Sequence, residues 1–546
     1  MRQVTEAGWN FADAWERVAE RIPNELAQRQ GDREYTWSEF DRRADGIAAT
    51  LLAAGVAEQD KVAHYLYNCP EYLESSYGAF KAGLAIANTN YRYAADELVY
   101  LWNNADAVAV VFHAAFAEQC DAVRDRVPGV RLWLCVDDGS GPCPPWAVPY
   151  EEAAASATGR VVASWGRSGD HLLLLYTGGT TGMPKGVMWR QDDLFGALDA
   201  SNRRRMPPEQ DLDALGGRVV AAGPRNLPAA PLMHGTGFFN AVSNLMLGGS
   251  VTTMVGRRFD AVELLDTVER FSINSMAIVG DAFAKPILRA LDADPGRWDI
   301  SSLRVMVSSG VIWSQETKDG LLRHNDRLIM VDSLGSSEAI GMATNTTRAG
   351  EGAGTARFSL GATTRVVTED GRDVEPGSGE RGRVALRGFT PVGYYKDPEK
   401  SAATFQVIDG VRYSIPGDWA EVEPDGTVKL LGRGSQCINT GGEKVYPEEV
   451  EEALKLHPSV HDAAVVGVPD ERFGEAIMAL VEPNPGATAD EAELIAHVKE
   501  KLAAFKAPKR VLSVSTVARA ANGKLDYRQL RSEALARLDL TRPDLA

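Results

Sequence analysis

Residues 176–186 read YTGGTTGMPKG and follow directly on the apolar run Leu172-Leu173-Leu174-Leu175, which is long enough for a buried strand. Gly178, Gly179 and Gly182 carry no side chain, and Thr177, Thr180 and Thr181 carry hydroxyls on small residues. Such a chain can wrap closely around phosphate oxygens. Lys185 adds positive charge at an offset fixed by Pro184. The spacing is not that of the common Gly-x-x-x-x-Gly-Lys-Ser/Thr loop, because Pro184 precedes the lysine and Gly186 follows it.

The elements that must position this loop show in the surrounding pattern. A capping box at Thr36-x-x-Glu39 starts a helix, with Phe40, Ala44, Ile47, Ala48 and Leu51 at helical spacing behind it. Lys61 to Leu66 and Ala107 to Phe112 read as strands with helices between them, which implies a mainly parallel, doubly wound sheet. Trp133 to Val148, rich in Gly and Pro, is expected as a surface connection. The clearest boundary falls at Gly432-Arg433-Gly434-Ser435, ahead of a compact α+β pattern of about one hundred residues. Within that pattern a helix is expected from Pro447 to Leu456, strands at Ala463–Val468 and Ala476–Val481, and a further helix capped by Thr488. The fold class is thus α/β: a large multi-layer N-terminal domain with doubly wound sheets, residues 1–432, and a small mobile α+β domain, residues 433–546.

Bulk properties narrow the function. The chain has 546 residues, 44% hydrophobic and 24% charged, too many for one compact core. The net charge of −17 disfavours nucleic acid and anionic membranes as general partners. Five scattered cysteines with no metal-ligand spacing point to reduced thiols in a cytoplasmic setting and against a disulfide framework. No run reaches the roughly 18 apolar residues of a membrane span. Arg203-Arg204-Arg205 is a local exception, read as a solvated run with a gate or lipid-headgroup contact as the alternative.

The Tyr176–Gly186 run resembles the phosphate-binding loop of the adenylate-forming enzymes, the superfamily of acyl-CoA synthetases, peptide-synthetase adenylation domains and firefly luciferase. Further segments resemble that superfamily in order along nearly the whole chain. Pro231-Leu232-Met233-His234-Gly235 is similar to the segment whose aromatic or histidine residue lies beside the substrate carboxylate. Ser308-Ser309-Gly310 is similar to the turn against which adenine packs. Asp332-Ser333-Leu334-Gly335-Ser336-Ser337-Glu338 resembles the aromatic-Gly-x-Thr-Glu motif, with Leu334 in place of the stacking aromatic and Ser337 in place of threonine. The resemblance makes Glu338 the expected Mg²⁺ ligand, with Thr177 as a second. Asp418 and Arg433 match the residues that bind ribose, and Ser435 stands at the hinge position, where Asp or Lys is usual. Gly441, Gly442 and Glu443 match the loop that serves the second half-reaction, and Lys524, after Asn522-Gly523, matches the catalytic lysine.

What the resemblance implies is attack of a carboxylate on the α-phosphate of ATP, with Mg²⁺, followed by transfer of the acyl group from the adenylate to coenzyme A. The leading reading is an ATP-dependent acyl-CoA synthetase. Alternatives are an adenylation enzyme loading a separate carrier protein, an aryl- or arylpropionate-CoA ligase, a luciferase-like oxygenase and a non-catalytic sensor. His234, Gly235, Gly237, Phe238 and Gly280, with the apolar Phe239, Ile278 and Phe283, suggest a deep pocket for a bulky hydrophobic acid. The wording of the motifs looks most like synthetases for long-chain fatty acids and steroid side-chain acids. The partner expected is a small-molecule carboxylic acid, with peripheral membrane contact and a homodimer left open.

Overall fold

The computed structural model describes residues 8–177, 183–201, 206–207, 211–246, 248–311, 313–350, 357–440, 443–470, 474–502, 504–520 and 523–539. The chain divides into two compact units, one made of Met1–Thr355 with Leu386–Ser414, the other of Ala356–Ala385 with Ile415–Ala546.

In the first unit, eight strands form one sheet, in which Ala85–Asn88, Lys61–Tyr65, Ala107–His113 and Leu132–Val136 run parallel. Leu172–Thr177 joins it parallel to Ala85–Asn88, and Lys185–Arg190 returns antiparallel beside it. Both faces are covered. Leu173, Leu175 and Val187 belong to one core, and Leu174 and Tyr176 to another. A strand buried on both faces reads as an unbroken apolar run rather than an alternating one, which accounts for the four consecutive leucines. The stretch expected as a surface connection starts later than Trp133: Leu132–Val136 is a fully buried strand, and only the Gly- and Pro-rich residues after it form the connection.

A second sheet of this unit runs parallel through Leu26–Gln30, Ser250–Thr253, Arg225–Pro228, Ser275–Ile278, Val305–Ser309 and Ile329–Ser336. Ala339–Thr347 then turns back antiparallel to Ile329–Ser336. The helix Trp37–Ala53 starts at the expected capping box, with both reciprocal hydrogen bonds of Thr36 and Glu39 in place.

In the second unit, Val460–Asp470 and Gly474–Pro483 form a long antiparallel pair, extended by Arg510–Ser513 and Ile438–Thr440. Side chains alternate across it: Ala463 and Val465 enter one core with Val450, Leu454 and Leu494, while Ala464, Val466 and Val468 enter another with Leu530 and Ala534. The helix Pro447–Lys455 starts at its proline as expected. The next helix, Glu491–Lys501, is capped by Asp490, whose carboxylate accepts from the Glu493 N–H. The expected cap Thr488 lies two residues too early, because an aspartate immediately before the first helical residue wins the position. Among the described residues, no helix is long and apolar enough to cross a membrane.

Candidate active site

Thr177 ends its strand directly opposite Lys185, so the phosphate-loop candidate is the tip of a β-hairpin with its two ends fixed in register. Gly178, Gly179, Thr180, Thr181 and Gly182 lie outside the described residues. Gly186 faces Tyr176 across the hairpin: a Cβ there would come within 2.9 Å of the tyrosine ring. The Lys185 ammonium contacts Asp397 Oδ2 at 2.5 Å. That ammonium, with the Lys400 N–H, holds the Asp397 carboxyl below its ordinary value.

Asn88 ties the hairpin to the His234 segment. Its amide donates to the carbonyls of Tyr176 (2.9 Å) and Met233 (2.6 Å), and its oxygen accepts from the Tyr176 N–H. Asn68, before the helix Pro70–Lys81, performs a similar task, donating to the Pro228 and Ala230 carbonyls and accepting from Leu232 N–H at 2.7 Å. His234 is half-buried at the end of this segment, and its carbonyl accepts from the Phe238 N–H.

The helix Gly235–Met246 follows at once. A Cβ on Gly237 would lie 2.4 Å from the Pro231 carbonyl oxygen, so backbone packing alone demands glycine there. One on Gly235 would meet only side chains, those of Phe239 and Leu175, at 3.1 and 3.3 Å. Phe238 is buried, its ring 6.2 Å from that of Tyr72.

Val305–Ser309 ends at Gly310, whose φ of +93° suits glycine. A Cβ on Gly310 would lie 3.9 Å from both Thr236 and Val279, and the Ser308 hydroxyl accepts from Gly280 N–H at 2.8 Å. The adenine-turn candidate and the pocket candidates Gly235 and Gly280 therefore share one neighbourhood.

The motif from Asp332 onward lies on the strand Ile329–Ser336 rather than in a loop, which makes its side chains alternate. Asp332 and Leu334 are buried, while Ser333, Gly335, Ser336 and Ser337 are partly exposed. Burial pushes the Asp332 carboxyl up to about 6 against the opposing pull of Lys318, a buried lysine whose Nζ lies 3.5 Å away. A register shift between Leu334 and Ser336 loosens the hairpin just before Glu338, as bulges do where a side chain is re-aimed. The Glu338 carboxylate accepts from the Tyr394 hydroxyl at 2.7 Å, and its backbone carbonyl accepts from Ser414 Oγ at 2.7 Å. Tyr394 is paired to Val187 of the phosphate hairpin, and Trp189 Nε1 donates to the Ser337 carbonyl. Two independent links thus join Glu338 and its turn to the strand Lys185–Arg190, which leaves the candidate phosphate loop.

In the second unit, Asp418 and Arg433 are direct cross-strand partners of Asp418–Val422 and Val428–Arg433. Gly432 has a φ of +124°, and a Cβ on it would strike the Glu448 carboxylate at 2.2 Å. Glu443 begins the strand Glu443–Val445, while Gly441, Gly442 and Asn522 lie outside the described residues. Lys524 is exposed, between buried Gly523 and buried Leu525.

Sequence reading missed Asn88, Asn68, Tyr394, Asp397 and Lys318. Asn88 had a signal, a lone amide ending the apolar strand Ala85–Asn88, since a buried polar residue is more informative than a buried apolar one.

One α/β unit thus holds the Thr177–Lys185 hairpin, the helix that follows His234 and the buried Glu338. The chain belongs to the AMP-binding enzyme family: the model for AMP-binding enzymes matches residues 15–395, and that for the AMP-binding enzyme C-terminal domain matches residues 449–524. It is 40% identical, over 97% of its length and 96% of the relative's, to a medium/long-chain-fatty-acid–CoA/3-oxocholest-4-en-26-oate–CoA ligase of Mycobacterium tuberculosis. It is 38% identical, over 96% of both chains, to a 3-oxocholest-4-en-26-oate–CoA ligase of Rhodococcus rhodochrous. The fold is similar to that of ATP-bound MatB from Rhodopseudomonas palustris, with a TM-score of 0.79 and 26% identity over 96% of this chain and 98% of that one.

Proposed function

We propose that the protein is an AMP-forming carboxylic acid–CoA ligase that activates a hydrophobic acid, a medium- or long-chain fatty acid or a steroid side-chain acid. The observation that carries this reading is 40% identity, spread over 97% of the chain, to a ligase named for those acids. ATP and coenzyme A are substrates of this ligase family, and the acid is a small-molecule partner.

The obstacle to the first step is repulsion between two anions, so fixed positive charge and aimed donors must meet the charge as it builds. In this reading the hairpin from Thr177 to Lys185 holds the β- and γ-phosphates, and Lys524 supplies charge to the carboxylate and α-phosphate. Asp418 and Arg433 take the ribose, and His234 borders the acid. A carboxylate that already accepts from a neutral hydroxyl, as Glu338 does from Tyr394, suits a hard cation completed by phosphate oxygens. Glu338, with Thr177, would hold Mg²⁺. Bound there, the ion would neutralise phosphate charge. The chain from residue 433 pivots about Gly432–Ser435 between half-reactions, withdrawing Lys524 and presenting Gly441, Gly442 and Glu443 to coenzyme A. The enzyme works in the cytoplasm.

The test is formation of AMP and thioester with ATP, Mg²⁺ and coenzyme A over short, medium and long fatty acids, aryl acids and steroid acids. Lys524→Ala should slow adenylate formation roughly 10²–10³-fold, the scale for loss of one electrostatic donor. Thioester from aryl acids alone would overturn the substrate class, and AMP release without thioester would overturn coenzyme A as the acceptor.

A further inference from the structure

The turn that carries Lys524 is anchored by a half-buried charge pair. Arg519 and Asp462 each expose only 17% of their side chains. Arg519 places Nε and Nη2 on the two oxygens of Asp462, at 2.5 and 2.8 Å, and donates its remaining nitrogen Nη1 to the Gly523 carbonyl at 2.9 Å. Asp462 is fixed in turn, because its Oδ1 also accepts from the Ala463 N–H at 2.8 Å within the long antiparallel pair. The turn closes on itself through Gly523 N–H to the Ala520 carbonyl and Ala520 N–H to the Lys524 carbonyl, at 2.8 and 2.9 Å. Gly523 takes a φ of +72°, and Leu525 is buried.

The backbone on each side of an exposed lysine is therefore fixed: the carbonyl before it by Arg519, its own carbonyl by Ala520, the next side chain by the core. A solvated surface lysine requires none of this. Partly withdrawing an ion pair from water is a weak source of stability, and the best-attested use of such pairs is to fix one geometry. The residue type also fits, since a planar guanidinium grips both oxygens of a carboxylate in a fixed fork and still donates to a second acceptor, a geometry the single nitrogen of an ammonium does not reproduce.

We propose that Arg519 and Asp462 are positioning residues for Lys524, holding the turn so that the ammonium is aimed for adenylate formation. This rests on the reading of Lys524 given above. Misplacement of a reacting group by about 1 Å can cost on the order of 10²-fold, whereas the second half-reaction does not use this lysine.

The experiment measures two half-reactions in the full-length chain. One is acid-dependent pyrophosphate release from ATP; the other is thioester formation from a presynthesised fatty-acyl adenylate and coenzyme A. Arg519→Lys, which keeps the charge but not the fork, and Asp462→Asn, which keeps the shape but not the charge, should each lower the first by roughly 10- to 100-fold. Both should leave the second at its wild-type rate, which also reports that the fold is intact. Equal loss in both half-reactions in both variants, or loss in neither, overturns the proposal. Lys524→Ala run alongside separates the two levels. If it leaves pyrophosphate release intact, the reading of Lys524 itself fails; if it abolishes release while the other two variants keep it, only the positioning role fails.

Discussion

Asn88 holds the backbone of Tyr176 from both sides, donating to its carbonyl at 2.9 Å and accepting from its N–H at 2.5 Å. The same amide group reaches the Met233 carbonyl, so one side chain sets the spacing between the phosphate hairpin and the His234 segment. Asn88→Leu strands three buried backbone groups, each costing about 1–3 kcal/mol. The urea midpoint of the larger unit should fall by an amount worth ~3 kcal/mol or more. An unchanged midpoint for Asn88→Leu would show that the bridge carries no weight.

Tyr394 orients Glu338 through its hydroxyl. Outer partners of a metal-ligating carboxylate typically contribute about 10- to 100-fold in metal affinity. Tyr394→Phe should accordingly raise the Mg²⁺ concentration needed for half-maximal adenylate formation by roughly tenfold, with little change at saturating metal. A titration of pyrophosphate release against Mg²⁺ at fixed ATP decides it; an unshifted curve would remove Glu338 from the metal site.

Two glycines of one helix should respond differently to the same methyl group. At Gly237 the new carbon meets the Pro231 and Ala230 carbonyl oxygens at 2.4 and 2.6 Å, which are backbone and cannot turn aside. Gly237→Ala should destabilise by about 1–3 kcal/mol or more. At Gly235 the neighbours are the movable Phe239 and Leu175 side chains, so Gly235→Ala should fold normally. By narrowing the space beside His234 it should shift the thioester yield from steroid acids toward fatty acids by roughly tenfold. Competition between dodecanoate and a steroid acid checks this, and unaltered selectivity would place the acyl chain elsewhere.

Two buried groups, one in each unit, should contribute opposite pH slopes. Burial holds the His64 imidazole down to about 3, from an ordinary 6.5. Its contribution to stability is full above 6.5 and is lost as pH falls toward 3. Burial holds the Glu451 carboxyl up to about 7, from an ordinary 4.5, outweighing the nearby Arg519 and Lys455 charges. Its contribution is full below 4.5 and is lost as pH rises through about 7. Glu451→Gln should remove this contribution to the pH slope of the second unit between 4.5 and about 7, followed by denaturant midpoints. A wild-type slope retained in that variant would assign the titration to another group.

What was legible in the sequence was local. The Leu172–Leu175 run, the Thr36 capping box and Pro447 at a helix start each announce themselves within a few residues, because strand burial and helix ends are satisfied by near neighbours. The Thr488 cap failed on the same ground, since Asp490 is nearer still. Trp133 was hidden by the Gly/Pro-rich residues that follow its strand. The long-range parts of the candidate site stayed unreadable: Asn88 meets Met233 across 145 residues, and Glu338 meets Tyr394 across 56. No periodicity or spacing encodes such pairings. Motif order brought Glu338 and Lys524 to notice; it did not bring Arg519 or Asp462.

The strand before the phosphate loop is followed by another strand, not by a helix. A helix N-terminus offers a fixed partial positive charge to phosphates; the one that follows this hairpin, at Gln191, lies a full strand beyond Lys185. In the proposed reading, part of the nucleotide's negative charge is met by mobile carriers, a lysine that also contacts Asp397 and the cation that accompanies the phosphates. Side chains and ions exchange with solution ions far more readily than a backbone dipole does. Grip on the triphosphate should therefore weaken steeply with ionic strength, making nucleotide capture a property of the surrounding electrolyte as much as of the loop.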